Sequence, residues 1–278
     1  MLAKMTKKTA LIVLGMHRSG TSSVAGALAL AGAAAPKHLM PAAADNPKGF
    51  WESSAVADFN DRILNREGSN WHDWRAIPRA PLLADKSARN DAIDLLRDEF
   101  GDAAVIVLKD PRICRIFPLW RQALLEAGYD PLVVSPVRAP SEVAASLESR
   151  NALSRNHALR LWMRHVLDAE QSSRGLDRRF VLWPDFLHQW RTVFDAINKL
   201  SATTLNLDDA RSSEIDAFLS TDLRRQSDAS PPPSAVARTY GLLAQLSRHG
   251  EHSDLHFALD DLRSDFDQAC DLFSDAPR

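Results

Sequence analysis

Residues Gly15 to Ser23 read G-M-H-R-S-G-T-S-S, follow the apolar run Ala10-Leu11-Ile12-Val13-Leu14, and precede a stretch of small residues from Val24 to Ala35. That order predicts a strand, a glycine loop and a helix, and it limits the fold more than any other stretch. A loop entering a helix N-terminus aims several unpaired backbone N–H groups, with the positive end of the helix dipole, at one point. An anion such as phosphate can be held there. Gly15 and Gly20 permit the tight curl. The G-x-x-x-x-G spacing is that of a nucleotide-binding P-loop, yet Thr21-Ser22 stands where the ATP and GTP loops carry Lys and then Ser or Thr. Arg18 supplies a cation inside the loop instead. Thr21 and Ser22 add hydroxyl donors, and the backbone from Ser19 to Ser22 is expected to form the cradle. His17 is read as structural or exposed.

The rest of the chain repeats the same alternation. Helical spacing runs from Ser53 to Leu64, with Ser53 or Ser54 as N-cap, and again from Lys86 to Phe100. Ala104–Leu108 and Leu132–Val137 are short continuous apolar runs, as expected of strands buried on both faces. Ile113–Ala127 is helical and Gly128 stops it; Pro140 and Ser141 suit a helix start. A helix follows from about Ser154 to Arg174, then a strand candidate at Phe180–Trp183 and a helix from Asp185 to Leu200. Asn65–Leu83, with Trp71 and Trp74, is read as irregular, covering a cleft or packing on the surface. Beyond Ser201 the pattern is helical except for Ser227–Ser234, with Pro231-Pro232-Pro233, read as a linker or rigid turn. The last helix, about Asp254–Phe273, carries Leu255, Leu259, Leu262 and Phe266 on one face and is expected to pack back on the domain. Strands alternating with helices predict an α/β fold with a central parallel sheet, whose ligands bind at the carboxyl ends of the strands. With 278 residues, one domain is expected: a core over about 9–200 and a helical C-terminal extension over about 201–278.

A formal net charge of -2 gives no broad basic field, which argues against nucleic-acid binding by bulk phosphate neutralisation. The two cysteines, Cys114 and Cys270, are far apart and form no zinc or disulfide spacing. A reduced, cytoplasmic protein is the simplest reading. Lys4, Lys7 and Lys8 precede an apolar stretch, but that stretch is short and ends in the glycine loop, so neither a signal peptide nor a membrane span is expected.

The loop R-S-G-T-S resembles the K-S-G-T-T or R-S-G-T-S loop with which sulfotransferases grip the 5'-phosphosulfate of 3'-phosphoadenosine-5'-phosphosulfate (PAPS). A second stretch, V-V-S-P-V-R-A-P-S-E-V-A-A-S-L, places Arg138 after a strand and Ser146 eight residues later. This is similar to the sulfotransferase motif that clamps the 3'-phosphate of PAPS. Over about residues 9–200 the resemblance implies transfer of a sulfuryl group from PAPS to a hydroxyl or amine, with release of adenosine 3',5'-bisphosphate and no metal requirement. It implies cofactor contacts at Gly15, Arg18, Ser19, Gly20, Thr21, Ser22, Arg138 and Ser146, and a catalytic part for Arg18, which with the loop amides stabilises charge on the transferring group and the departing phosphate. The acceptor is expected to be a small molecule or a glycan, carbohydrates or glycolipids first.

Sulfuryl transfer to an alcohol needs a base for the acceptor proton. In N-P-K-G-F-W-E, Glu52 is the first choice, since related enzymes place a glutamate after the first helix; His72 or His38 could substitute. The plain alternative is that Glu52 favours the following helix N-terminus by its charge. Lys48 in the same segment could stabilise the leaving bridge or could be a solvated lysine. In L-K-D-P-R, Asp110 follows a strand in the manner of a magnesium-binding carboxylate, the main feature favouring a P-loop kinase. Lys109 and Arg112 flank it, which better suits a paired charge cluster lining an acceptor pocket. A weaker trace lies at Asp185 and Leu187, and the R-K-G element of soluble small-molecule sulfotransferases is not recognisable. A kinase for a small metabolite and a nucleotide-binding protein without catalysis are the alternative functions.

Overall fold

The first strand, β1 (Lys8–Val13), alternates its side chains between two cores, and this places it at the centre of the sheet. Ala10 and Ile12 pack into one apolar cluster, Leu11 and Val13 into another, as a strand with helices on both faces requires. The computed structural model describes residues 8–43, 46–200, 205–219 and 230–272. β2 (Val105–Lys109) and β3 (Tyr129–Val137) pair with β1 on either side, and β4 (Arg178–Leu182) pairs with β3. All three pairings are parallel, in the order β2-β1-β3-β4.

Helices cover both faces. α1 (Thr21–Leu30) follows the glycine loop and packs on the Leu11 side, where α8 (Trp183–Leu200) and α9 (Asp209–Phe218) join it. α2 (Ser54–Arg66), α4 (Lys86–Phe100) and α5 (Ile113–Glu126) close the Ala10 side. The predicted cap forms at Ser53, whose hydroxyl accepts the Val56 amide at 3.1 Å, and the Asp85 carboxylate, not anticipated from sequence, accepts that of Ala88 at 2.9 Å. α6 (Pro140–Asn151) and α7 (Arg155–Ser173) pack with α10 (Ser234–His249) and α11 (Ser253–Leu272) around a third cluster. Leu259 and Leu262 of α11 are buried there, so the last helix does return to the domain.

Three local differences from the sequence reading have physical causes. The small-residue stretch 24–35 is not helical throughout: Gly32 adopts φ +104°, and Ala34 then runs beside β2, its amide bonded to the Val105 carbonyl at 2.9 Å. Within the stretch read as irregular, Pro78 precedes a short helix, α3 (Arg79–Ala84). Trp183 opens α8 rather than closing β4. Of the Ser227–Ser234 segment, 227–229 lie outside the described residues. Pro233 immediately precedes α10, and the Ser230 carbonyl accepts the Ser141 hydroxyl at 2.8 Å. No described helix is long and apolar enough to cross a membrane.

Candidate active site

The carboxyl ends of the four strands converge on a cavity of about 630 Å³. Its walls come from the loop after β1, from Lys109 at the end of β2, from Arg138 after β3 and from Trp183 after β4. This is where a parallel sheet is expected to bind ligands, and the volume falls in the usual range for small-molecule sites.

The loop is shaped by steric necessity. Gly20 has φ +86°, and a Cβ there would lie 2.2 Å from Trp183 Cε3. A Cβ at Gly15 would lie 2.8 Å from Thr21 Cγ2 and 3.2 Å from Pro136. Gly20→Ala therefore combines a left-handed backbone with overpacking against an indole, an expected cost of about 2–3 kcal/mol. Chemical denaturation would register it as a lower midpoint at unchanged slope; a midpoint equal to wild type would contradict the geometry.

Arg18 also adopts the left-handed region, at φ 67°, which disfavours a residue with a Cβ. Its neighbours hold it there. Arg18 Nε donates to Ser146 Oγ at 2.8 Å, and Arg138 Nη1 donates to the Arg18 carbonyl at 3.1 Å. Arg138 Nε is fixed in turn by Glu142 at 2.8 Å, one turn along α6. Residues separated by 128 positions in sequence thus share one wall, with Arg18, Arg138 and Ser146 all lining the cavity.

Gly20, Thr21 and Ser22 also line it, at the first turn of α1, where helix amides have no acceptor in a preceding turn. Gly15 and Ser19 are placed differently. Neither lines the cavity; the Ser19 amide turns back to the Met16 carbonyl at 3.2 Å and closes the loop on itself.

Segment 46–52 is draped over this turn. Asn46 Nδ2 donates to Ser22 Oγ at 3.3 Å and to the Gly49 carbonyl at 2.8 Å. Lys109 reaches in from β2, only 2% exposed, and donates to Ser22 Oγ at 3.2 Å, to the Phe50 carbonyl at 3.0 Å and to Glu52 Oε1. Glu52 is 6% exposed. Burial raises its pKa above the ordinary carboxyl value, and the Lys109 ammonium opposes that shift. Among the described residues, Glu52 is the carboxylate in the cavity wall. Lys48 lines the cavity as well, with its ammonium donating to the Phe218 carbonyl at the end of α9.

The remaining candidates stand apart. Arg112 does not line the cavity; its Nη1 pairs with Asp110 at 2.8 Å and its Nε with Asp61 at 2.7 Å. His38 pairs with Glu99 at 3.1 Å, and the His72 ring lies against Trp71, neither in the cavity wall. His17, read as structural, does line it. Its ring sits 5.1 Å from that of Trp71 and 6.1 Å from that of His165, and burial holds its pKa well below the usual histidine value, so it is neutral at pH 7.

Asn46, Ser149, Arg150 and Trp183 also belong to the wall and were missed from sequence. Arg150 lies four residues after Ser146 and so on the same helical face, and Trp183 directly follows a strand. Both signals were available.

The fold is similar to that of the sulfotransferase domain of the Synechococcus PCC 7002 olefin synthase, at 16% identity and a TM-score of 0.50, covering 85% of this chain and 94% of that one. A sulfotransferase domain from the curacin biosynthetic pathway matches at 12% identity and a TM-score of 0.44, covering 85% of this chain and 98% of that one. Identity of this order in the first case shows a shared fold; the second carries no argument. No family model and no curated protein matches the sequence. The chain thus has a sulfotransferase-type, P-loop-like α/β fold with helices at its C-terminal end.

Proposed function

We propose that the protein is a PAPS-dependent sulfotransferase that moves a sulfuryl group to a hydroxyl or amine of a small-molecule or glycan acceptor. The observation that carries this reading is the Arg18–Ser146 hydrogen bond, backed by Arg138, which joins the glycine loop and α6 into one anion-binding wall. A mononucleotide P-loop needs one phosphate subsite at the helix N-terminus. Here cationic groups extend the anion-binding surface across to α6, as a ligand with phosphates at both 5' and 3' positions requires. The donor set fits such a ligand: two guanidiniums, the Ser22 and Ser146 hydroxyls, and the amides of the first turn of α1.

PAPS, when bound, supplies an activated sulfuryl group on a phosphate leaving group. The chain's part is to bind, orient and move a proton. Gly20 to Ser22 present amides, with the helix dipole, toward the 5' end of the donor. Lys109 takes the place of the absent P-loop lysine: it enters from the adjacent strand rather than from the loop and sets its charge at Ser22 Oγ. That positive charge stabilises negative charge developing on the departing phosphate. Arg138 and Ser146 select the 3'-phosphate. Glu52 takes the acceptor proton at its carboxylate, which burial makes more basic than an exposed one. Arg112, engaged with Asp110 and Asp61, supports the β2–α5 turn.

Calorimetry tests the donor. Adenosine 3',5'-bisphosphate is expected to bind more tightly than ATP with magnesium, and Arg138→Gln to weaken it by about 10–100-fold through loss of a charge-assisted contact. Tighter binding of magnesium ATP would sink the proposal and favour a kinase. The acceptor is to be identified by screening for sulfated products.

A further inference from the structure

A second cavity, of about 240 Å³, shares no lining residue with the first. It lies among α3, α5, α7 and α11, and arginines dominate its surroundings: Arg79 from α3, Arg115 from α5 and Arg263 from α11 line it. Asp168 stands between them. Arg115 Nε and Arg263 Nη1 each reach this carboxylate at 2.9 Å, and Arg164 Nη1 stands 3.5 Å away while its Nη2 bonds Asp267. Burial would raise the Asp168 pKa, but the three guanidiniums hold it down to about 2. Arg115, Arg164 and Arg263 thus share the one Asp168 carboxylate, with Asp267 a further partner of Arg164.

Burial and the neighbouring Arg263 guanidinium lower the pKa of Arg79, and burial lowers that of Arg115. The Arg263 side chain is 12% exposed, and its Nη2 is buried without a hydrogen-bond partner among the described residues. Arg79 commits Nη2 to Gln171 Oε1 at 2.6 Å, which fixes its guanidinium at the cavity. A buried donor such as Arg263 Nη2 is normally satisfied.

We propose that this cavity is a second anion site, taking one doubly charged tetrahedral oxyanion: inorganic phosphate or sulfate, or the phosphate head of an ester. Arg263, through its unpartnered Nη2, and Arg79 hold it by charge-assisted hydrogen bonds. The site ties the C-terminal helix to the core. α11 supplies Arg263, α3 supplies Arg79, and Arg115 in the same wall also donates to the Asp73 and Arg75 carbonyls. Those two residues flank Trp74, whose carbonyl accepts Arg164 Nε at 2.8 Å.

The test is calorimetric titration of the full chain with sodium phosphate at constant ionic strength, with chloride as control and phenyl phosphate to separate ester from free anion. Wild type is expected to show a saturable site that survives Arg138→Gln, whose change lies in the other cavity. Arg263→Gln and Arg79→Gln are each expected to weaken that site about tenfold. If Arg263→Gln fails to fold, Arg79→Gln decides, because that side chain makes one hydrogen bond at the cavity rim. Three outcomes overturn the proposal: wild-type phosphate affinity in Arg79→Gln, equal binding of chloride, or no binding at about 10 mM phosphate.

Discussion

Glu52→Gln is expected to slow turnover by about 10²–10⁴-fold, the range for loss of a positioned general base, while affinity for adenosine 3',5'-bisphosphate stays near the wild-type value. The separation of the two effects follows from how Glu52 is held. The Gln amide oxygen can still accept from Lys109, so the ammonium keeps its place between Ser22 Oγ and the Phe50 carbonyl. The amide cannot take a proton. The pH profile adds an independent readout. Burial raises the Glu52 pKa, and a base acts only when deprotonated, so kcat/KM should rise with pH through that raised value, and the acid limb should vanish in the variant. Near-normal turnover in Glu52→Gln would remove Glu52 from the role and turn attention to His17, the neutral imidazole in the same cavity wall.

Local sequence was informative wherever one short stretch determines the geometry. A strand buried on both faces, a glycine loop and a helix start are local events, and β1, the loop and α1 form in that order at those residues. The convergence of Arg18 and Ser146 is not local. The eight-residue spacing from Arg138 to Ser146 carried it only through likeness to a known pattern, and the contact depends on β3 pairing beside β1. The Lys109–Glu52 pair was hidden for the same reason. Each residue had a plain local reading, Glu52 as a helix-start charge and Lys109 as a partner for Asp110. The register of β2 on β1, with Val13 opposite Lys109, instead delivers the lysine to the loop. Arg112 shows the converse, since its neighbours Asp110 and Asp61 hold it outside the cavity.

Lys109→Met is expected to destabilise the protein by about 3–5 kcal/mol at neutral pH, because it strands a buried carboxylate without its partner. The pH dependence identifies the cause. Glu52 has a folded-state pKa above its ordinary value of 4.5, set by burial. For an acid shifted in this direction the folded state binds the extra proton, so the penalty is absent below about 4.5 and accumulates as pH rises toward the folded pKa. Lys109 provides the largest opposing effect on that shift. Its removal extends the window upward, and the stability gap between variant and wild type should widen as pH rises. Part of the loss is independent of pH, because the Ser22 and Phe50 bonds also disappear. The double variant Lys109→Met/Glu52→Gln, which carries neither charge, should recover most of the pH-dependent part, giving a coupling that a double-mutant cycle can read. Denaturant unfolding at several pH values measures all four species. A gap that stays constant with pH, or a double variant no more stable than Lys109→Met, would mean that Lys109 serves the loop through packing and hydrogen bonds rather than by holding the Glu52 charge in place.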